Sequence, residues 1–223
     1  MIVAIDGPAG AGKSSVARRL AHRLGFQFLD TGAMYRAITY AALRRKLGPQ
    51  DPDAIAEMAQ KTSLIMHDDR VLLDGFDVTA LIRTSEVAAQ VFLAADNRRV
   101  RERLVQLQRE FANGNDTVTE GRDQGTVAFP DAECKIFLTA SAEERAARRH
   151  AELKLRGEEI SFAEVLAQLN ERARRDRERE FGALRRADDS IDVCTDGLTA
   201  DEVITKLESI VQSRLSHSES ARL

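Results

Sequence analysis

A glycine-rich segment that ends in a lysine and a serine lies close to the amino terminus. Residues 7–14 read Gly-Pro-Ala-Gly-Ala-Gly-Lys-Ser, the pattern G-x-x-x-x-G-K-S. In such a loop, glycines let backbone N–H groups close around phosphate oxygens, the lysine supplies a positive charge and the serine hydroxyl is offered to Mg²⁺. The segment therefore predicts a binding site for the β- and γ-phosphates of a nucleotide. The alternative is a chance cluster of glycines in a turn.

The residues on both sides of the loop favour the phosphate site. Ile2-Val3-Ala4-Ile5 is typical of a short buried strand, and Val16, Leu20 and Leu24 fall on one face of a helix. A strand before the loop and a helix after it are the context that this motif needs.

The composition is that of an ordinary globular protein. The chain has 223 residues, of which 43% are hydrophobic and 31% are charged, and these values predict one α/β domain with inserted subdomains. The net charge is −3, and no aromatic residues interleave the arginines, so no nucleic-acid partner is expected. The sequence has no apolar run near eighteen residues and no signal peptide. We expect a cytoplasmic protein with no membrane partner.

The cysteines and histidines offer no metal site. We expect Cys134 and Cys194, which lie in or beside apolar stretches, to be buried free thiols. The four histidines are scattered without the spacing of metal ligands. No structural metal is predicted.

Short strand-like runs alternate with segments of helical period and predict a parallel sheet covered on both faces. These runs are Ile2–Asp6, Gln27–Asp30, Thr117–Glu120, Lys135–Thr139 and Ser190–Cys194. Residues 31–116, between the second and third runs, are too many for one crossover and predict an inserted subdomain. Within it, helices are expected at 32–46, 51–61, 86–93 and 98–111, and a small three-stranded meander at 64–78.

Arginines crowd the last third of the chain, and many alternate with acidic residues. The simpler interpretation is a solvated helix face with ion pairs at i,i+4. The second is a lid that brings cations to the phosphoryl group as it is transferred and excludes water. The arginines are Arg145, Arg148, Arg149, Arg156, Arg172, Arg174, Arg175, Arg177, Arg179, Arg185 and Arg186.

Three further blocks of sequence are distinctive. They are Leu29-Asp30-Thr31-Gly32-Ala33-Met34-Tyr35-Arg36, the run from Glu120-Gly121-Arg122-Asp123 to Phe129-Pro130-Asp131, and Glu171-Arg172-Ala173-Arg174-Arg175-Asp176-Arg177-Glu178-Arg179. These blocks resemble those of the cytidylate kinases of the bacterial type. Their order and spacing also match, and the likeness runs from about Ile2 to Ser209.

The resemblance implies the nucleoside-monophosphate kinase version of the P-loop fold. This is an α/β fold with a five-stranded parallel sheet flanked by helices, an inserted acceptor-binding subdomain and a short lid. As one kinase unit, residues 1–223 would comprise a core (1–31, 114–147 and 181–215), an acceptor-binding region with the three-stranded insert (32–113) and a lid region (148–180). A monomer is the default for this fold family.

The implied reaction moves the γ-phosphoryl group of ATP to CMP or dCMP, with Mg²⁺ as cofactor and small molecules as the partners. Two alternatives are a P-loop kinase of another small acceptor and a non-catalytic module that senses nucleotides. A sensing module would tolerate the loss of arginines on the acceptor phosphate, and Arg36, Arg122 and Arg179 are all present.

Carried over by motif, the implied site divides into donor, metal, acceptor and catalytic residues. The ATP residues are Gly7, Pro8, Ala9, Gly10, Ala11, Gly12, Lys13, Ser14 and Ser15. The metal residues are Ser14 and Glu120, and the CMP residues are Thr31, Arg36, Arg101, Arg122, Asp123, Arg172, Asp176 and Arg179. The catalytic residues are Lys13, Arg122, Arg149 and Arg179, with Arg149 preferred to Arg148 as the bridge between the two phosphates.

The residue types suit these roles. Arginine forks match phosphate geometry, and a carboxylate on Asp123 accepts the N4 amino protons of cytosine while Arg101 donates to N3 or O2. The alternative for Asp123 is a cap or a pair with Arg122. Arg172 and Asp176 offer a donor and an acceptor to the sugar hydroxyls, or form an i,i+4 ion pair.

Departures of the chain from the family's pattern include one implied metal residue and two positions outside the implied site residues. Phe92 stands where many relatives have serine, Gln124 where an apolar residue is common, and Glu120 where aspartate is frequent. Loss of the serine removes one hydroxyl contact near the cytosine and sugar.

Overall fold

The computed structural model describes residues 1–67 and 69–220, and for residues 217–220 it describes the backbone alone. The chain forms two compact units, one made of residues 1–28 and 116 onward and the other of residues 29–115. The division into a core, an acceptor region and a lid stays a prediction.

The described chain contains both helices and strands. In chain order, the elements are β1 (Ile2–Asp6), α1 (Lys13–Leu24), β2 (Gln27–Asp30), α2 (Thr31–Arg44), α3 (Pro52–Lys61), β3 (Leu64–His67), β4 (Arg70–Leu73), β5 (Phe76–Asp77), α4 (Ser85–Gln90), α5 (Phe92–Ala95), α6 (Arg98–Ala112), β6 (Thr117–Gly121), β7 (Cys134–Thr139), α7 (Ala142–Leu155), α8 (Phe162–Glu178), β8 (Ile191–Cys194) and α9 (Ala200–Ser220). A 3₁₀ turn spans Leu81–Arg83 and a π turn spans Gln124–Ala128.

The central sheet has five parallel strands in the order β2-β6-β1-β7-β8, as the sequence predicts. In the parallel pairs, Asp6 lies opposite Gly121 of β6 and Phe137 of β7, so these strands end at one edge of the sheet. The crevice outside the carboxyl ends of parallel strands is where such sheets bind ligands. The glycine-rich loop after β1 and the Arg122–Asp123 segment after β6 both leave the sheet at this edge.

The core of the first unit joins this sheet to α1 and α9. Val3 and Ile5 of β1, Leu20 of α1, and Ile204 and Leu207 of α9 are fully or almost fully buried in one apolar cluster. Side chains three and four apart on each helix face the sheet, which is the amphipathic pattern of a covering helix. This packing holds the start of α1, and with it the glycine-rich loop.

The second unit contains the predicted meander, an antiparallel sheet of order β3-β4-β5. Its core packs α2 residues such as Met34 and Ile38 against Ile55 of α3 and Leu104 of α6. The helix predicted over residues 86–93 is instead two short helices, because the regular backbone hydrogen bonding is interrupted at Val91 between α4 and α5. Asp68, expected in the turn after β3, lies outside the described residues.

The expectation for the two cysteines is confirmed for Cys134 and wrong for Cys194. Both are free, but Cys134 is buried in the sheet whereas Cys194 is exposed. β8 is an edge strand in which Val193 points into the core, so the next side chain faces outward. Burial raises the pKa of the Cys134 thiol to about 11. Within the described chain, no helix is both long and apolar enough to span a bilayer.

Candidate active site

The glycine-rich loop runs between β1 and α1 and is shaped by two of its glycines. A Cβ at Gly7 would lie 2.1 Å from the carbonyl oxygen of Leu138 on β7, so only glycine allows this approach. Gly12 has a φ of 86°, a conformation that glycine adopts without strain, and it precedes the first residue of α1. The amino end of α1, where backbone N–H groups lack partners within the helix, is therefore aimed into the loop.

Lys13 is buried inside this loop. Its Nζ donates a hydrogen bond of 2.8 Å to the carbonyl oxygen of Pro8. The pKa of Lys13 is lowered to about 7, chiefly by burial and also by the charges of Arg122 and Arg172, against the opposing effects of Glu120 and Asp176. A lysine whose charged form is disfavoured by burial is stabilised as a cation by a bound anion, which is what a nucleotide phosphate supplies.

The two residues predicted to hold a metal are brought together. Ser14 Oγ donates to Glu120 Oε1 at 2.8 Å, joining the start of α1 to the end of β6. Among the described residues there is no group of three or more histidine, cysteine, aspartate or glutamate side chains that could hold a metal ion. One carboxylate and one hydroxyl suit Mg²⁺, which keeps several waters and shares substrate phosphates rather than requiring a full protein cage.

A buried cluster of charges joins the segment after β6 to the carboxyl end of α8. Asp176 Oδ2 accepts from Arg122 Nε at 2.7 Å, and Asp176 Oδ1 accepts from Arg179 Nη2 at 2.9 Å. Burial alone would raise the pKa of Asp176, but the charges of Arg122, Arg172 and Arg179 outweigh it and hold that pKa well below its usual range. The carboxylate stays ionised and fixes two guanidinium groups.

Arg122 is held in its charged form by its neighbours. Burial lowers its pKa, but the charge and hydrogen bond of Asp176, with the charges of Glu120 and Asp6, outweigh burial and raise the pKa above its ordinary value. Its Nη1 also donates to the carbonyl oxygen of Gly121 at 3.1 Å. The guanidinium is thus held at a defined place beside the end of β6.

Asp123 and Arg172 occupy the surroundings of this cluster. Asp123 is buried and immediately precedes the π turn that follows β6. Arg172 lies one helical turn before Asp176 on α8, and its charge lowers the pKa of both Asp176 and Lys13. The ion-pair partners of Asp176 include Arg122 and Arg179, so its role goes beyond the i,i+4 pair with Arg172 considered from the sequence.

The other three predicted acceptor residues belong to the second unit. Thr31 is the buried first residue of α2, and Asp30 caps that helix by accepting from Ala33 N at 2.8 Å. Arg36 Nη2 lies 3.5 Å from Asp30 Oδ2, while its Nε has no hydrogen-bond acceptor among the described residues. A buried guanidinium N–H without an acceptor is a donor available to an anion.

Arg101 of α6 is buried beside an aromatic ring. Its Nη1 donates to the carbonyl oxygen of Ala95 at 3.1 Å, and its guanidinium lies over Tyr35 at 5.1 Å from the ring centroid. Both contacts orient the guanidinium and leave room for further hydrogen bonds from its five donors. Phe92, the first residue of α5, packs partly buried against the apolar core of the same unit.

The two arginines considered for the bridging role are placed differently on α7. Arg149 Nη1 pairs with Glu152 of the same helix at 3.1 Å. Arg148 donates to Thr195 Oγ1 and to the Thr195 carbonyl oxygen, each at 2.9 Å, and its Nη1 would lie 3.7 Å from a Cβ at Gly12. Of these two arginines, Arg148 is the one that lies beside Gly12 of the glycine-rich loop. The bridging role of Arg149 stays a prediction.

Sequence reasoning gave no structural role to three residues at this edge of the sheet. Arg145 Nη1 donates to the carbonyl oxygen of Ala9 at 3.1 Å and so supports the loop from α7. Gln124 is buried and accepts from Thr119 Oγ1 at 2.8 Å, which explains how a polar side chain is tolerated where an apolar one is common. Asp6 accepts from two backbone N–H groups of the π turn. Its position directly before Gly7 was a signal, because a charged residue that ends a buried strand needs a partner.

The fold and the site together define a P-loop kinase. A family model described as cytidylate kinase matches residues 3–213. The chain therefore belongs to the cytidylate kinase family, and it is an ATP-dependent nucleoside-monophosphate kinase. The resemblance stated from the sequence is confirmed.

Two relatives agree with this assignment, and a solved structure shares the fold. The chain is 51% identical to the cytidylate kinase of Rhodopirellula baltica over 95% of this chain and 93% of the relative, and 48% identical to that of Carboxydothermus hydrogenoformans over 95% and 97%. An uncharacterized protein from Eubacterium ventriosum has a similar fold, with a TM-score of 0.52 at 13% identity over 96% of this chain and 99% of that one. The relatives favour neither a different small acceptor nor a sensing module.

Proposed function

We propose that this enzyme transfers the γ-phosphoryl group of ATP to CMP or dCMP through the residues assigned above. The observation that carries the proposal is the buried cluster of Arg122, Asp176 and Arg179 in the same unit as the glycine-rich loop. Arg122 is close enough to Lys13 to lower its pKa. Cations are thus concentrated where negative charge is handled during phosphoryl transfer.

On the donor side, Gly7 to Ser15 bind the phosphates of ATP. The backbone N–H groups of the loop and of the start of α1 surround the phosphate oxygens, and Lys13 Nζ exchanges its bond with the Pro8 carbonyl for one with a phosphate oxygen. Ser14 and Glu120, already hydrogen-bonded to each other, would hold Mg²⁺. When bound, Mg²⁺ neutralises charge on the β- and γ-phosphates.

On the acceptor side, the arginines bind the phosphate of CMP. Arg122 and Arg179 are oriented by one carboxylate, so little conformational freedom is lost when the phosphate binds. Arg36 contributes a guanidinium whose Nε lacks an acceptor among the described residues. These groups orient the attacking phosphate oxygen, with Arg149 as the predicted bridge to the donor.

The base and the sugar are recognised by polar side chains. Asp123 accepts the N4 protons of cytosine, Arg101 donates to the ring and Thr31 lies on the acceptor side. Arg172 and Asp176 bind the sugar hydroxyls. A carboxylate has about four lone-pair sites, and Asp176 uses one for each of two arginines, so it can still accept hydrogen bonds from the sugar. Uracil presents O4 where cytosine presents an amino group, so Asp123 would face a second acceptor and lose its hydrogen bond.

A coupled ADP-release assay over CMP, dCMP, UMP, AMP and shikimate tests the proposal. We expect kcat/KM for CMP to exceed that for UMP by ~10² or more, because a site built around a polar contact rejects the analogue that lacks it. Asp123→Ala should shrink this ratio by lowering the CMP value far more than the UMP value. An equal loss on both substrates, with the fold intact by circular dichroism, would assign Asp123 to a structural role instead.

The absence of a macromolecular partner, the monomeric state and the cytoplasmic location stay predictions. Size-exclusion chromatography with light scattering tests the monomer directly. A mass of two chains would contradict it.

A further inference from the structure

The side chain of Asp6 is a buried carboxyl group that the proposed reaction does not use. Asp6 is the last residue of β1, immediately before Gly7. Its side chain is almost fully buried, so it must be satisfied by groups of the protein itself. Its partners are the backbone N–H of Gln124, at 2.9 Å from Oδ1, and that of Gly125, at 2.8 Å from Oδ2.

These two N–H groups belong to the first residues of the π turn. The turn begins directly after Asp123, whose carbonyl oxygen accepts from Val127 N at 2.9 Å and Ala128 N at 3.1 Å. The first N–H groups of a helical turn have no partner within it, and a carboxylate is the strongest acceptor for them. Asp6 therefore caps this turn from a neighbouring strand, and the backbone of Asp123 is held by the turn it starts.

The side chain of Lys135 also packs against the π turn. A Cβ at Gly125 would lie 3.2 Å from Lys135 Cδ and 3.5 Å from Asp6 Oδ2. The Lys135 side chain is itself held, because its ammonium group contacts Asp189 and the carbonyl oxygen of Pro130. Gly125 thus packs closely against the side chains of Lys135 and Asp6, which leave little room for a Cβ at this position.

From this geometry we propose that Asp6 is a positioning residue for base selection: it fixes the π turn and thereby the place of Asp123. The inference rests on the proposed role of Asp123 in binding cytosine. Asp6 joins the start of the ATP loop to the segment that reads the acceptor base, and both lie at the same edge of the sheet. It contacts neither base nor phosphate in this role.

The test uses Asp6→Asn in the full-length enzyme. An asparagine retains one acceptor oxygen and turns an amino group toward the second N–H, so one backbone donor of the turn loses its acceptor. We expect kcat/KM for CMP to fall about 10- to 100-fold, the cost of one unsatisfied buried N–H. The CMP to UMP ratio should fall by about tenfold, while KM for ATP changes by less than about threefold.

A second variant keeps the test valid if Asp6→Asn does not fold. Gly125→Ala leaves Asp6 in place and displaces the same turn through the added Cβ, so it should lower the same ratio. Glu202→Gln is the matched control, because Glu202 also accepts a backbone N–H, that of Thr199 at 2.8 Å, but lies exposed on α9. It should leave both the ratio and the KM values unchanged. Amide hydrogen exchange at residues 124 and 125 should be faster in Asp6→Asn.

Asp123→Ala separates failure of this inference from failure of the proposed function. If Asp123→Ala shrinks the CMP to UMP ratio but Asp6→Asn and Gly125→Ala do not, Asp6 does not position the base-reading residue. A rise in KM for ATP as large as the loss on CMP would also overturn the inference, because Asp6 would then act on the donor loop. If Asp123→Ala leaves the ratio unchanged, the base assignment fails and the inference falls with it.

Discussion

Two faces of α8 both carry ion pairs between arginines and acidic residues, but the pairs on one face are exposed and those on the other are buried. On one face Arg174 pairs with Glu171 and Glu178, and Arg175 pairs with Glu171, with all four side chains between 44% and 61% exposed. On the other face Asp176 pairs with Arg179, each 7% exposed, and with Arg122. Both interpretations of the arginine-rich segment are therefore found on one helix.

Burial changes how much an ion pair contributes to stability. Hydrogen bonds from Arg174 and Arg175 lower the pKa of the exposed Glu171 to about 2, yet water and salt screen such pairs and they add little to stability. In the buried cluster, removal of one partner leaves a charge without compensation. A high density of arginine on a helix thus carries functional meaning only where tertiary packing removes it from water.

The largest effect is expected for the buried cation of the glycine-rich loop. Lys13→Ala should lower kcat by about 10²-fold or more, because Lys13 meets charge that develops on the phosphoryl group during transfer. Turnover is measured at saturating ATP and Mg²⁺. A thermal melt should show an intact fold, since Lys13 is buried with its pKa lowered and its loss removes an unfavourable burial. Wild-type turnover in this variant would contradict the role of Lys13.

The second prediction contrasts the two faces of α8 directly. Arg179→Ala should raise the KM for CMP and lower kcat, with a combined loss of ~30-fold or more, because this arginine both binds and orients the acceptor phosphate. Arg174→Ala, five residues earlier on the exposed face, should change kcat/KM by less than about twofold and Tm by less than about 2 °C. Small and equal effects from both variants would make the whole segment a solvated helix face.

The third prediction concerns the uptake of a proton when ATP binds. The pKa of Lys13 is lowered to about 7, so near pH 8 the amine is mostly neutral in the unliganded enzyme. Phosphate charges raise that pKa on binding, so ATP binding at pH 8 should take up close to one proton, and at pH 6, where Lys13 is already charged, far less. Calorimetry in buffers of different ionisation enthalpy measures this uptake. Uptake that persists in Lys13→Ala would assign the proton to another group.

Strand positions and the composition of the glycine-rich loop were predictable because they depend on local pattern. The strand-like runs predicted at Ile2–Asp6 and Gln27–Asp30 form β1 and β2 with those bounds. Local sequence pattern did not predict side-chain exposure where exposure depends on which other elements pack against a strand. Cys194 lies in an apolar run, yet it faces outward because β8 is an edge strand.

By itself, the sequence determined the class of the protein. The order Gly-x-x-x-x-Gly-Lys-Ser after a strand, with the Glu120–Asp131 and Glu171–Arg179 blocks, specifies a nucleotide-binding kinase, because these residue types have few other uses in that arrangement. Only the tertiary structure determined which polar and charged groups come into contact. Asp6 with the π turn, Ser14 with Glu120, and Arg122 with Asp176 are far apart in sequence and are joined where parallel strands end at one edge. No local pattern encodes those distances, since they arise from how the strands pair and how the helices pack against the sheet.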